Sequence, residues 1–169
     1  GSKKAGLQGT TAVPYNLPEL SKHDEIFFVE GEKDADNLTK LGFCATNLKD
    51  WQESFNVYVK HARVVVFRDH DLSGVKQANR ALEILFGKVQ SLKLLDLYDE
   101  HPVPASNGKD VSDWIDNARN VEFKDSVTIA EDLSILIDNA REWTPEMMDD
   151  DAPEEEPIIA KAHPEPKPA

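Results

Sequence analysis

Asp69 and Asp71 flank His70 just beyond an apolar run, Val64-Val65-Val66-Phe67. Like charges this close repel, and at the mouth of a buried strand they are costly unless a cation sits between them. In extended chain, residues i and i+2 point to one side. The two carboxylates would then share a face, leaving His70 off it as a solvent-facing or hydrogen-bonding residue. A hard cation such as Mg²⁺ suits the pair, because it takes one or two carboxylates together with water and substrate phosphates. The structural alternative is that Asp71 or Ser73 caps the helix that Ser73-Gly74 opens.

Other acidic groups meet the same test of position. In "VEGEKDAD", Glu32 and Asp34 fall in a first helical turn, where the helix dipole already favours negative charge. Glu30 has no such explanation, since it projects from the end of an apolar run before the helix starts. In "NGKDVSDWI", Asp110 and Asp113 are spaced as a modest capping arrangement or as functional carboxylates, and Lys109 is placed for a phosphate or for solvent. No nucleophile competes: the chain has no Gly-x-Ser-x-Gly, no framed Cys/His pair, no Rossmann glycine fingerprint and no GxxxxGK[ST] loop. ATP hydrolysis by this chain alone is therefore not expected.

These residues must be positioned by regular elements. Ile26–Val29 is a continuous apolar run of strand length, as in a strand buried on both faces. A helix over about 33–41 follows, closed by Gly42, and Phe43 to Thr46 reads as a second strand. Trp51, Phe55 and Tyr58 predict a helix over about 50–60, and Arg63 to Arg68 is the strongest strand. Val75, Ala78, Leu82 and Leu85 mark an amphipathic helix that stops at Gly87, and Val89 to Leu97 is a fourth strand. A proline-containing loop leads to a helix around 111–118. A capping box of Thr128 and Glu131 starts a last helix carrying Leu133, Leu136, Ile137 and Ala140. This alternation predicts an α/β, Rossmann-like fold: about four strands, mainly parallel, with helices on both faces and ligands beyond the strands' carboxyl ends.

A chain of 169 residues suffices for one domain with a core and an appendage. Residues 1–24 read as an irregular lead-in, with Gly1-Ser2 as an expression-tag scar and Val13, Tyr15 and Leu17 packing on the domain surface. The domain itself spans 25–145. Residues 146–169 hold eight acidic side chains against Lys161 and Lys167, with five of the ten prolines, and are expected to be a disordered acidic linker or tail. The single cysteine, Cys44, excludes an intramolecular disulfide and a cysteine-based zinc site, and it reads as a small buried hydrophobe. No apolar stretch approaches the ~20 residues of a membrane span, and a cytoplasmic location is the default expectation. The net charge of −13 argues against nonspecific nucleic-acid binding through a basic face, but not against contact with phosphates through divalent cations.

A strand ending in Glu-Gly, a strand ending in Asp-x-Asp with Ser-Gly after it, and a Lys-Asp-x-x-Asp-Trp loop together resemble the TOPRIM domain. That domain is shared by bacterial-type primases, type IA and type II topoisomerases and some nucleases. The likeness covers about residues 13–118, and "VEGEKDAD" and "GKDVSDWI" are most similar to the modules of phage and plasmid replication proteins. By matching position it implies Glu30 as the family's glutamate, Asp69 and Asp71 as its metal pair and Asp110 as the later acidic ligand, with Asp34, Lys109 and Asp113 as secondary candidates. It further implies Mg²⁺ or Mn²⁺, a single-stranded DNA template, nucleoside triphosphates and primase-type nucleotidyl transfer. There a 3′-hydroxyl attacks the α-phosphate, with Glu30 as a metal ligand or proton-transfer group. A helicase or ATPase region is expected on the same full-length chain. The chain departs from the family pattern in carrying "ATNLKDW" where relatives have a glycine-rich stretch, and in lacking the cysteines of a zinc module.

Three other readings use the same residues. A TOPRIM nuclease would employ water as nucleophile, and a binding module would hold nucleic acid or nucleotide without reaction. A haloacid-dehalogenase-like phosphatase also uses Asp-x-Asp, but on its first strand, and it leaves Glu30 without a role.

Overall fold

The computed structural model describes residues 12–148. The order of elements is α1 (Leu17–Leu20), β1 (Glu25–Val29), α2 (Glu32–Lys40), β2 (Ala45–Asn47), a 3₁₀ helix (Glu53–Tyr58), β3 (Arg63–Phe67), α3 (Leu72–Leu85), β4 (Ser91–Leu95), α4 (Val111–Asn120), α5 (Ser126–Asp138) and β5 (Arg141–Glu142). The strands form one sheet in the order β2-β1-β3-β4-β5. The first four are parallel, and β5 runs antiparallel to β4. The chain is thus α/β with a mostly parallel sheet, as the alternation of elements requires.

Side-chain alternation along β1 and β3 divides the core in two. Ile26, Phe28, Val64 and Val66 face one side with Trp51, Ala78, Leu82 and Leu85. Phe27, Val29, Val65 and Phe67 face the other with Leu38, Val111, Ile115, Ile129 and Leu133. So α3 covers one face, and α2, α4 and α5 cover the other. Residues 64–67 are all buried, as expected for a central strand with both faces covered. Full burial of each such valine or phenylalanine stabilises the fold by ~1.5–3 kcal/mol.

Several expectations are corrected in detail. The sheet has five strands rather than four, because Arg141–Glu142 adds an antiparallel edge. Both residues of β5 are exposed and polar, so no apolar alternation announced it. The 50–60 helix is a 3₁₀ segment whose Asn56 accepts the indole N–H of Trp51 at 2.9 Å. The last helix is capped by Asp125, which accepts from the Thr128 N–H at 2.8 Å, so it begins before the predicted Thr128 cap. The lead-in contains α1, whose Leu17 and Leu20 are buried in the core, while Val13 stays exposed and Tyr15 is half-buried. Cys44 is half-buried, and burial pushes its thiol up to about 11, consistent with a packed and unreactive group. Of the acidic tail expected over 146–169, residues 149–169 lie outside the described residues.

β1 connects through α2 to β2 on one side, and β3 connects through α3 to β4 on the other. The chain therefore diverges between β1 and β3, the place where open α/β sheets leave a crevice at the strands' carboxyl ends. Glu30 and Asp69 stand at that place, one following each strand.

Candidate metal centre

Three carboxylates converge on the crevice. One oxygen each from Asp34, Asp69 and Asp110 lies within 4.8 Å of the others. Each comes from a different local structure. Asp34 sits in the first turn of α2, whose extended N-cap is Gly31. Asp69 is in the turn after β3, and Asp110 is the N-cap of α4.

Each carboxylate is held by its surroundings. Asp34 is buried and accepts a short hydrogen bond from the Ser112 hydroxyl, which itself accepts from Asn37 Nδ2 at 2.8 Å. Asp110 Oδ1 accepts from the Asp113 N–H at 2.9 Å, and Asp113 Oδ2 accepts from the Asp110 N–H at 3.0 Å. This reciprocal capping box realises the structural reading of the Asp110–Asp113 spacing, yet Asp110 also joins the cluster. One role does not exclude the other, because a cap engages one oxygen and leaves the second available.

Asp69 packs closest to α3. A Cβ placed on Gly74 would lie 2.2 Å from the Asp69 carbonyl oxygen, so only glycine admits this approach of helix to turn. The Asp69 side chain hydrogen-bonds with Glu30, whose Oε1 accepts from Gln77 Nε2 at 3.0 Å.

The electrostatics follow from crowding. Burial pushes Asp69 up to about 10, reinforced by the hydrogen bond with Glu30 and by the charges of Glu30, Asp34 and Asp110. Burial also raises Asp34, with the Ser112 hydrogen bond opposing the shift. Asp110 is raised by burial and by Asp34, against the lowering effect of the Asp113 N–H. Without a cation, then, this cluster retains a proton that an isolated aspartate would lose.

The sequence-predicted residues divide accordingly. The structure brings Asp69 and Asp110 together, sets Glu30 against Asp69, and adds Asp34, a secondary candidate in a first helical turn. Asp71 is outside this group: its Oδ1 accepts from the Gly74 N–H at 2.7 Å and its Oδ2 from the Gly108 N–H at 3.1 Å. The i, i+2 rule expected Asp69 and Asp71 to share a face; the start of α3 at Leu72 instead engages Asp71 as its cap. Asp113 serves the capping box, and Lys109 places Nζ over the Tyr98 ring, 5.5 Å from its centroid.

His70 is buried rather than solvent-facing, in hydrogen bonds away from the carboxylate cluster. Its Nδ1 lies 2.9 Å from Asp96 Oδ2, and its Nε2 lies 2.9 Å from the His101 carbonyl oxygen. Burial alone would lower its pKa, but Asp96 and the carbonyls of Pro102 and His101 outweigh that and raise it. Both ring nitrogens thus face acceptors, a setting that suits the imidazolium. Asp96 also receives Arg68 Nε at 3.2 Å and the Tyr98 N–H at 2.9 Å.

Sequence reasoning did not single out Asp96, Gln77 or Ser112. Asp96 was findable, since it directly follows the fourth strand, where position at a carboxyl end is the signal. Gln77 and Ser112 carry no such signal.

The donor set fits a hard divalent cation. Carboxylate oxygens alone, buried or half-buried and close enough to share one ion, match the preference of Mg²⁺ and Mn²⁺ for oxygen over nitrogen or sulfur. Among the described residues, no helix is long and apolar enough to cross a membrane. Comparison with known proteins returned no match: no family model, no curated protein and no solved structure aligns with this chain.

Proposed function

We propose that this chain is a metal-dependent phosphoryl-transfer module acting on nucleic acid or nucleotides. Within that class, we favour the primase-type nucleotidyl transferase module of a DNA replication protein, on the TOPRIM-like motifs of its sequence. The observation that supports this most is the convergence of Asp34, Asp69 and Asp110 from three separate elements at the divergence of a parallel sheet. A fold alone would need no such accumulation of charge, and a structural cap would not need Asp69 at all.

In this reading Asp34, Asp69 and Asp110 hold Mg²⁺ or Mn²⁺, with Glu30 beside Asp69. The bound cation would neutralise charge on a phosphoryl group and on the oxygens that enter and leave. The protein's own residues do the rest. Ser112 keeps the Asp34 carboxylate aimed inward, the capping box fixes Asp110, and Gln77 fixes Glu30. Glu30 stands beside Asp69 and is the carboxylate positioned to receive a proton from that side of the crevice. Substrates in this reading are a single-stranded DNA template and nucleoside triphosphates, with a helicase or ATPase region as the expected partner.

The test pairs binding with turnover. Mg²⁺ or Mn²⁺ should raise the melting temperature, and Asp69→Asn with Asp110→Asn should abolish that rise. With single-stranded template, nucleotides and Mn²⁺, short oligomers are expected. Template degradation would instead assign a nuclease. No thermal shift and no product would overturn the reading.

A further inference from the structure

The cluster joins elements of one core layer to a turn that runs out of it: β3 shares that layer through Val65 and Phe67, but beyond Phe67 the chain leaves it for α3. Asp34 and Asp110 belong to α2 and α4, whose Ala35, Leu38, Val111 and Ile115 pack in one core layer. Asp69 belongs to the turn between β3 and α3, and α3 packs on the opposite face of the sheet. Something must set the turn against the start of α4.

The segment that could do so is the loop preceding Asp110. Residues 99–107 are exposed, so apolar burial does not hold them. The loop is stitched to the 70–72 turn instead, at Pro104, Gly108 and Lys109. The His70 N–H donates to the Lys109 carbonyl at 2.9 Å, and the Leu72 N–H to the Pro104 carbonyl at 3.3 Å. Asp71 Oδ2 accepts from Gly108 N–H while its Oδ1 caps α3 through Gly74. The approach is tight, since a Cβ on Gly108 would fall 1.9 Å from the His70 carbonyl oxygen.

We propose that Asp71 is a positioning residue for the cation site: its two oxygens clasp the Gly108 loop to the start of α3 and thereby set Asp110 opposite Asp69. The proposal rests on the cation reading above and gives the second aspartate of Asp-x-Asp a role that reaches the ion only through Gly108 and Asp110. A ligand and a clasp differ in what they share. A ligand acts independently of Gly108, whereas a clasp and Gly108 form one device and their losses do not add.

Asp71→Ser keeps one oxygen for the α3 cap and loses the acceptor for Gly108. Gly108→Ala forces the loop from the turn, its Cβ meeting the His70 carbonyl and, at 2.8 Å, Asp71 Cβ, but it removes no carboxylate. Calorimetric titration with Mg²⁺ and Mn²⁺ should show each variant binding about tenfold more weakly than the wild type, the scale seen when support of a metal ligand is lost. The double variant should bind no more weakly than either single one. Amide exchange at Gly108 should be faster in Asp71→Ser, a readout that general destabilisation elsewhere, as in Leu133→Ala, would not single out.

Additive losses, to about a hundredfold in the double variant, would make Asp71 a ligand and overturn the clasp. Unchanged Gly108 exchange in Asp71→Ser, with cation binding intact in the wild type, would overturn it as well. Should Gly108→Ala not fold, reciprocity supplies the second measurement: saturating Mg²⁺ should slow Gly108 exchange in the wild type, and unchanged exchange overturns the clasp. Failure of the wild type to bind either cation would overturn the functional reading itself and, with it, any role of the clasp at that site.

Discussion

Asp71 and Asp110 are both N-caps, both follow a loop or turn at the sheet's carboxyl edge, and both spend one oxygen on a backbone N–H three residues ahead. Their second oxygens meet different things. That of Asp71 meets the N–H of Gly108, whereas Asp110 contributes to a group of three carboxylates. A backbone donor favours the ionised carboxylate, while neighbouring carboxylates oppose it; Asp110 is accordingly raised by burial and by Asp34, against its own cap. The comparison teaches that helix capping and site chemistry are not alternatives for an aspartate. The role depends on what stands opposite the oxygen that the cap leaves over.

Three measurements probe the contrast, from the largest effect downward. Asp110→Ser preserves a capping oxygen but removes the charge from the cluster. It should weaken Mg²⁺ binding by roughly a hundredfold or more, against about tenfold for Asp71→Ser, as removal of a ligand exceeds removal of its support. Equal losses in titration calorimetry would erase the distinction between the two caps.

In the cation-free protein the order reverses. Asp71→Ala removes a cap and strands the Gly108 N–H, and should cost ~2–3 kcal/mol in urea unfolding. Asp110→Ala loses its cap but relieves repulsion in the cluster, and should cost ~1 kcal/mol or less. A larger loss at Asp110 would show that its cap outweighs the crowding.

The smallest effect concerns pH. The folded pKa of Asp69 lies above its unfolded value, so its contribution to stability is complete at low pH and fades as pH rises toward about 10. His70 acts in the same direction, because its pKa is also raised and its contribution is lost as pH climbs through the folded value. Melting temperature without cations should therefore fall between pH 5 and pH 9. Asp69→Asn should flatten that fall and stabilise the cation-free protein at pH 8 by ~1 kcal/mol, which corresponds to a few degrees in a chain of this size. A pH-independent melting temperature in the wild type would contradict the crowded cluster.

Much of this was legible in the residues themselves. The apolar runs 26–29 and 64–67 and the helical spacing of Val75, Ala78, Leu82 and Leu85 lie where the structure has β1, β3 and α3. Local periodicity carries that information because one strand or helix faces its core with a fixed repeat. Position at a strand's carboxyl end likewise picked out Glu30 and Asp69, since parallel sheets leave their crevice there. The two-residue strand β5 was not legible, as two exposed polar residues form no pattern and only the free edge of β4 makes them a strand.

Composition and spacing, then, were enough for the α/β class, the order of the first four strands with the helices between them and the acidic edge, all of which depend on neighbours in sequence. Which carboxylates meet depends on distances across the fold. Asp34 lies 35 residues from Asp69, and Asp110 a further 41, so no local rule relates them. Packing of α2 against α4 and the turn after β3 brings them within 4.8 Å, while the beginning of α3 at Leu72 directs Asp71 to backbone donors. A carboxylate's chemistry follows from the partners that reach it, and those partners are supplied by tertiary structure.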